Sequence, residues 1–568
     1  MKHRIFLIGL AVLGLVSCSK QMNYKEFTIL DKDYITETFS NVGGFLTDMY
    51  NAIEYDFGNY SNGAMLASAT DESEYSIMGN AIEDFYNGGW SAANPKQSTW
   101  NAMYTGIASA NTFLREMQGL KFEELILNKD YKQQMYRYEH YPYETRALRA
   151  YMYFCLVRQY GDVPMVGENL TAEEINTLSR TPADDVFKFI ISECADVQDK
   201  VIENFSDLGE LALSSIETGR IDKLFVLAVK AQAALYWASP LFNPSNDKER
   251  WHNAATYYKE LVAACDKRGM GLTAKFDDTW SYLNYSTPAI TKEIVFARRV
   301  GSNHTVETNN YPVGIENGKG GNCPTQNLVD AFEMTNGKAI NETGSGYDAA
   351  DPYKGRDPRL ALTVAVNGDK WPTVVGTALQ TYTGGANGQP ISGATTTGYY
   401  LKKLCHGAID IRSNSKYQND YHSYVIYRMG GIYLDYAEAV FQYLGGADKT
   451  SSEFPESASA LASKTRTRVG MPAFPAGLTN DEFWTKYKNE RMVELAFENH
   501  RFYDVRRWKE ADKYFKSITR MEITKNADGS FKYTPKTVAR QWNDKMYLFP
   551  IPQSEIQKNP NLTQNTGW

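Results

Sequence analysis

Glu490 to Trp508 gathers four carboxylates, four arginines and His500 within 19 of the 568 residues. Carboxylates beside a histidine could serve general acid–base chemistry. The spacing points elsewhere. Arg491 and Glu494, Glu498 and Arg501, and Asp504 with Arg501 or Arg507 stand three residues apart. Opposite charges so spaced can pair along one helix or lock neighbouring helices. The same structural reading covers Arg146, Arg149 and Arg356 to Arg359, and His500 reads as a packing residue. Asp71-Glu72, Asp184-Asp185 and Asp277-Asp278 read as helix starts or solvated loops. GxSxG, HExxH, Walker A and complete GxGxxG patterns are all missing. The seven histidines are scattered singly, so no metal cluster is expected. The expectation is a protein without catalytic residues, cofactor or metal.

A second chemistry is better supplied. Sugar rings pack their C–H faces on flat aromatic rings and offer hydroxyls to amide or charged side chains at the edges. The chain holds 39 tyrosines and 10 tryptophans. The Gly-rich stretch Tyr86-Asn-Gly-Gly-Trp90 places Asn87 and Trp90 on one loop. Trp280, Tyr282 and Tyr285 form a second candidate group, and Asn309, Asn310 and Tyr311 a third. Trp100 belongs to the core, because Trp100, Tyr104, Ile107, Asn111 and Leu114 share one helix face. Ligand specificity is expected in loops such as 71–97 and 300–325. A net charge of −7 spread over this length argues against nucleic-acid binding, which wants a clustered basic face.

The N-terminus determines where such a binding surface would operate. Lys2, His3 and Arg4 precede an apolar run from Ile5 to Val16, the pattern of an export signal. Leu15-Val16-Ser17-Cys18 resembles a bacterial lipobox, which makes Cys18 the acylated first residue of the mature chain. Several acyl chains give stable membrane anchoring. Residues 1–17 are then signal peptide and 18–34 a tether. No later run of 18 apolar residues exists to span a bilayer. The other cysteines are Cys155, Cys194, Cys265, Cys323 and Cys405. They are odd in number and lack a CxxC, and they read as structural thiols.

The elements that must position these groups are helical. Glu144 to Tyr160 carries a periodic apolar face and ends at Gly161 with Pro164 beyond. Further helices are expected at Ala183 to Lys200, Ile221 to Ala238 and Trp251 to Lys267, then Ile426 to Leu444, Pro455 to Val469 and Asp481 to Asp512. Thr479-Asn-Asp-Glu482 has capping-box spacing. Pairs of about 30–35 residues fit a tetratricopeptide-like all-α scaffold. Between them, Gly301 to Tyr424 is rich in Gly, Asn and Thr, with short extended runs at Leu360 to Val366 and Tyr399 to Leu404. Such an insertion on a rigid frame carries binding loops. The reading is two halves, 35–239 and 240–568. The second has a loop-rich 300–425, helices over 426–512 and an irregular tail from Ile518.

Several blocks resemble the SusD/RagB family of outer-membrane nutrient-binding lipoproteins. They are Arg146-Ala-Leu-Arg149 running into Tyr160-Gly-Asp-Val-Pro164, Pro324 to Met334, Gly355-Arg-Asp-Pro-Arg359, Arg428 to Glu438, Glu490 to Trp508, Tyr547 to Pro552 and Asn559 to Gln564. They occur in the family's order behind the lipobox. The resemblance implies a SusD-like helical body without chemistry of its own. It also implies an oligosaccharide or peptide ligand, a SusC-like TonB-dependent transporter as partner, and an outer-membrane location facing the cell exterior. Two departures stand out. Gly430-Gly431 replaces the usual Ala-Glu, weakening local helix propensity. Ser19-Lys-Gln-Met-Asn23 lacks the acidic run that often accompanies surface export.

Overall fold

The computed structural model describes residues 32–568 apart from 97, 215–218, 281–291 and 414–417. Its scaffold is a row of helices in which each packs on the next. The first two are α1 (Lys32–Glu37) and α2 (Phe39–Met49), followed by α3 (Ser98–Glu116) and α4 (Tyr131–Tyr160). Then come α5 (Ala183–Val197), α6 (Lys223–Ala238) and α7 (Lys248–Lys267). The row continues through α8 (Met429–Leu444), α9 (Ala458–Arg468), α10 (Asn480–Leu495) and α11 (His500–Arg507). From α3 to α9 each helix packs on its neighbour in this order, and α7 lies directly against α8. The stretch between α7 and α8 is therefore an insertion into a continuous helical array.

Local sequence explains these elements. In α6 every residue but Lys223 and Trp237 is buried, because its alanines let flanking helices approach on all sides. Asp222 caps it, its carboxylate accepting from the Leu224 and Phe225 N–H groups. The capping box of α10 forms as spaced, with Thr479 and Glu482 bonded reciprocally. Gly161 ends α4 at φ +73°, donating its N–H to the Val157 carbonyl. The start of α4 differs from the expected Glu144. The helix runs through Pro142 back to Tyr131, because Tyr138 and Tyr141 are buried and Arg137 donates to the carbonyls of Gln133 and Leu211. Packing there offsets the hydrogen bond that proline removes.

Among the described residues, four two-stranded antiparallel sheets punctuate the helices: β1 (Ser73–Tyr75) with β3 (Asn322–Pro324), β2 (Ile294–Asn303) with β6 (Asp420–Arg428), β4 (Val364–Ala365) with β5 (Tyr400–Leu401), and β7 (Ser517–Lys525) with β8 (Phe531–Ala539). The β2–β6 ladder closes the stem of the insertion, pairing Ile294 with Arg428 and Asn303 with Asp420. The β7–β8 hairpin corrects the expectation of an irregular tail. Asn526-Ala-Asp-Gly529 turns the chain between the two strands, with Asp528-Gly529 at the turn.

The expected boundary at 239/240 falls in the turn joining α6 to α7, and the main core draws on Phe39 at one end and Leu562 at the other. The two halves therefore share one core. A second apolar cluster fills the insertion and reaches α10 through Met492 and Val493. The tether expected to reach Tyr34 is helical from Lys32. Residues 1–31, with the export signal and Cys18, lie outside the described residues.

Candidate functional site

The Glu490–Trp508 block behaves as a tie between elements. It is not one helix: α10 stops at Leu495, and Phe497 and Asn499 adopt φ of +63° and +61° before α11 begins. That break redirects most of the expected pairs. Glu494 accepts from Arg428 (2.7 Å), Arg468 (2.5 Å) and Arg359 (2.9 Å), whereas Arg491 reaches Asp435 (2.5 Å) and Asp504 (2.6 Å). Glu498 binds Arg428 and Lys403, and Arg501 binds Asp71. Only Asp504 with Arg507 pairs within its helix as spaced. Burial opposes ionisation of Glu498, but the Arg428 and Lys403 charges outweigh it and hold the carboxyl at about 2. Groups so fully engaged join helices and offer no free acid or base. His500 is kept below its ordinary value by burial first and by Arg491 second.

The predicted aromatic candidates sit deeper than a binding loop requires. Trp90 is 2% exposed and packs edge-on against Phe85, Phe549 and Trp568. The Gly-rich run turns at Gly88 (φ +90°), and the Trp90 N–H bonds back to the Asp84 carbonyl, folding the indole inward. Asn87 stays exposed and accepts from the Gly89 N–H at 2.8 Å. Tyr311 is fully buried, its hydroxyl donating to the carbonyls of His406 and Ile409. Asn310 is spent on Asn322 and the Val306 carbonyl, and Asn309 is buried beside it. Trp280 packs on Phe276 beneath the Lys403 ammonium, 4.5 Å from the ring centroid. These positions do not present open ring faces. A short aromatic–amide cluster is as good a recipe for core as for a site, and sequence spacing does not separate the two. Tyr282 and Tyr285 lie outside the described residues.

The loops themselves do converge. The β1–β3 ladder sets residues 76–78 beside 313–321, and the Ser76 N–H bonds to the Gly321 carbonyl. Asn387 donates to the Val313 carbonyl, bringing up a third segment, 389–396. β7 completes the wall with Arg520, tied to that segment through the Met521 N–H and Thr397 carbonyl. Together they line an open groove of about 780 Å³. Its apolar surface comes from Ile77, Met78 and Ile391, all exposed and Met78 by 86%. Lys319, Gln389 and Thr396 supply polar atoms. The sequence singles out 71–97 and 300–325 as specificity loops, 389–396 only as part of the loop-rich insertion, and Arg520 not at all.

An adjoining hollow of about 510 Å³ has Trp90 in its lining, with the half-buried ring of Trp542 and the side chains of Gln541, Asn543, Lys516 and Lys545. Glu74 stands between the two. It accepts from Arg520 Nε and Nη2 at 2.7 Å each and from Thr396 Oγ1 at 2.7 Å, and lies 4.0 Å from Arg540 of the second hollow. Burial and the Arg540 guanidinium push the Tyr86 hydroxyl in opposite directions, burial prevailing, to about 12. The expectation that all histidines stand singly is also corrected: the His406 and His422 rings stack 4.5 Å apart beside Glu307.

Two family models match the chain. One, described as the SusD family, matches residues 292–568, and another, described as starch-binding associating with outer membrane, matches residues 29–206. SusD-like protein P25 of Formosa agariphila is 23% identical over 82% of this chain and 78% of its own length. Among solved structures, a SusD-like protein from Bacteroides fragilis superposes with a TM-score of 0.76 at 23% identity. That match covers 95% of this chain and 99% of the other. A laminarin-binding SusD-like protein superposes with a TM-score of 0.63 at 20% identity, covering 93% and 99%.

Proposed function

The chain belongs to the SusD family, and from that premise we propose that it binds oligosaccharide fragments in the groove walled by residues 76–78, 313–319 and 389–396. The observation that carries this reading is the convergence of three loops, distant in sequence, on one open groove in a helical body. The adjoining hollow extends the site. Trp542 offers a ring for stacking a pyranose, and Gln541 and Asn543 flank it with amides that can meet hydroxyls. The laminarin-binding relative supports the ligand class. Cys18, acylated, anchors the body to the outer membrane facing outward, and the bound glycan passes to a SusC-like TonB-dependent transporter. The protein performs no chemistry on it.

A peptide ligand is the second reading. The exposed aliphatic side chains of Ile77, Met78 and Ile391 favour it, since they suit apolar peptide side chains better than sugar rings.

Calorimetric titration of the purified protein with glycan and peptide panels separates the two. At least one glycan should bind, and Trp542→Ala and Lys319→Ala should each weaken it about tenfold, roughly 1.4 kcal/mol. Heat from peptides alone would replace the glycan reading with the second. Glycan binding untouched by either substitution would move the site elsewhere. Turnover of a bound glycan, abolished by one Asp or Glu substitution, would defeat the binding-only reading. Cys18→Ala should shift the chain from the membrane to the soluble fraction.

A further inference from the structure

Behind the groove wall, the short helix Thr305–Asn310, the 402–406 segment and β6 bring Glu307, His406 and His422 together. They stand 99 and 115 positions apart along the chain. Glu307 is fully buried. One of its oxygens, Oε1, accepts from the His406 backbone N–H at 2.9 Å and lies 3.0 Å from His422 Nε2. The other, Oε2, is buried with no hydrogen-bond partner among the described residues. No lysine or arginine pairs with this carboxylate among the described residues; its only ion-pair contact there is His422. Glu494, by contrast, is met by three arginines. A buried carboxylate with an idle oxygen and two imidazoles beside it is short of positive charge.

We propose that Glu307, His406 and His422 form a site for a divalent transition-metal ion of the zinc class. Two imidazole nitrogens and one carboxylate oxygen are the donor set such an ion takes, at about 2.0–2.2 Å each. One ligand atom from each residue lies within 4.8 Å of the others. Tetrahedral coordination brings ligand atoms to about 3.4 Å of one another, so capture requires the stacked rings to tilt inward by roughly an ångström of nitrogen movement. Capture also releases His406 Nε2 from the Trp280 carbonyl, 3.1 Å away, while Asp420 Oδ2, 3.3 Å from His406 Nδ1, is placed to orient that ring from outside the coordination sphere. A fourth position is open to water or to a second carboxylate oxygen. Bound metal would pin the helix Thr305–Asn310 to the end of β6, and so brace the loop that follows it into the groove at Val313 and Lys319.

The test does not depend on what fills the groove. Full-length protein, stripped with a chelator, is titrated with zinc against a chromophoric competitor, and separately with cobalt. One equivalent should bind, cobalt should give the visible absorption of a four-coordinate N/O site, and zinc should displace that colour. Glu307→Gln keeps the side-chain shape and should abolish stoichiometric binding, while Asp420→Asn should weaken it about ten- to a hundredfold. Circular dichroism of each variant checks the fold, and the cobalt spectrum of the wild type needs no variant. No retained zinc at excess, or equal zinc affinity in a folded Glu307→Gln protein, overturns the proposal.

Discussion

Glu494 sits where α8, α9, α10 and the insertion meet, accepting from Arg428, Arg468 and Arg359 with no exposed surface of its own. Removing one partner from a buried charge group leaves the others unpaired, at a cost of about 3–5 kcal/mol. Glu494→Gln should therefore destabilise the protein by that order in urea unfolding. The same cluster makes the fold acid-sensitive. Glu498 and Asp504 titrate at about 2 in the folded protein, below the ordinary 4.5 and 3.8. Their stabilising contribution is complete above about pH 4.5 and is lost as pH falls towards 2, at up to about 1.4 kcal/mol per pH unit for each group. Urea midpoints measured from pH 6 to pH 2.5 should fall along that slope, and a flat profile would refute it. That these charges are structural could be read from their three-residue spacing. Which charge meets which could not, because the turn at Phe497 and Asn499 and partners such as Asp71 and Arg359 are set by the tertiary fold. Trp90 and Tyr311 failed as surface candidates for a related reason: the partners that bury them, Phe549 and the His406 carbonyl, are hundreds or tens of residues away.

Among the elements, α8 shows why a departure from a family pattern need not be neutral. A Cβ on Gly430 would meet Arg428 Nη1 at 2.2 Å and Glu494 Oε1 at 2.7 Å, whereas one on Gly431 would find only Leu495 Cδ2, at 3.7 Å. The first glycine makes room for the charge cluster against the opening turn of the helix. The second has no such neighbour. Alanine exceeds glycine in helix propensity by about 1 kcal/mol, so Gly431→Ala should stabilise by up to that amount. Gly430→Ala should destabilise despite the same propensity gain. Equal effects of the two substitutions in urea unfolding would refute the packing argument. Long helices with one apolar face, such as α3 and α5, were legible because their period is local. The β7–β8 hairpin was missed although Asp528-Gly529 marked its turn, since its alternation is blurred by half-exposed residues on both faces.

For the molecule as a whole, the question is whether the insertion is a separate domain. Its length and composition suggest one, and it has an apolar cluster of its own. Three features bind it to the scaffold. The β2–β6 ladder closes its stem and β6 runs straight into α8. Along α10, Phe483, Tyr487 and Leu495 belong to the main core while Met492 and Val493 belong to the second. Arg359 of the insertion shares Glu490 with Arg466 of the scaffold. Exposing either cluster would therefore strip buried partners from the other, and buried charges left unpaired make that intermediate costly. The protein should unfold in a single calorimetric transition, with calorimetric and van't Hoff enthalpies agreeing. Arg359→Met removes the ionic tie while leaving the ladder and α10 in place. If the tie enforces cooperativity, that variant should broaden or split the transition, and two resolved transitions already in the wild type would show that the groove loops fold independently of the array that carries them.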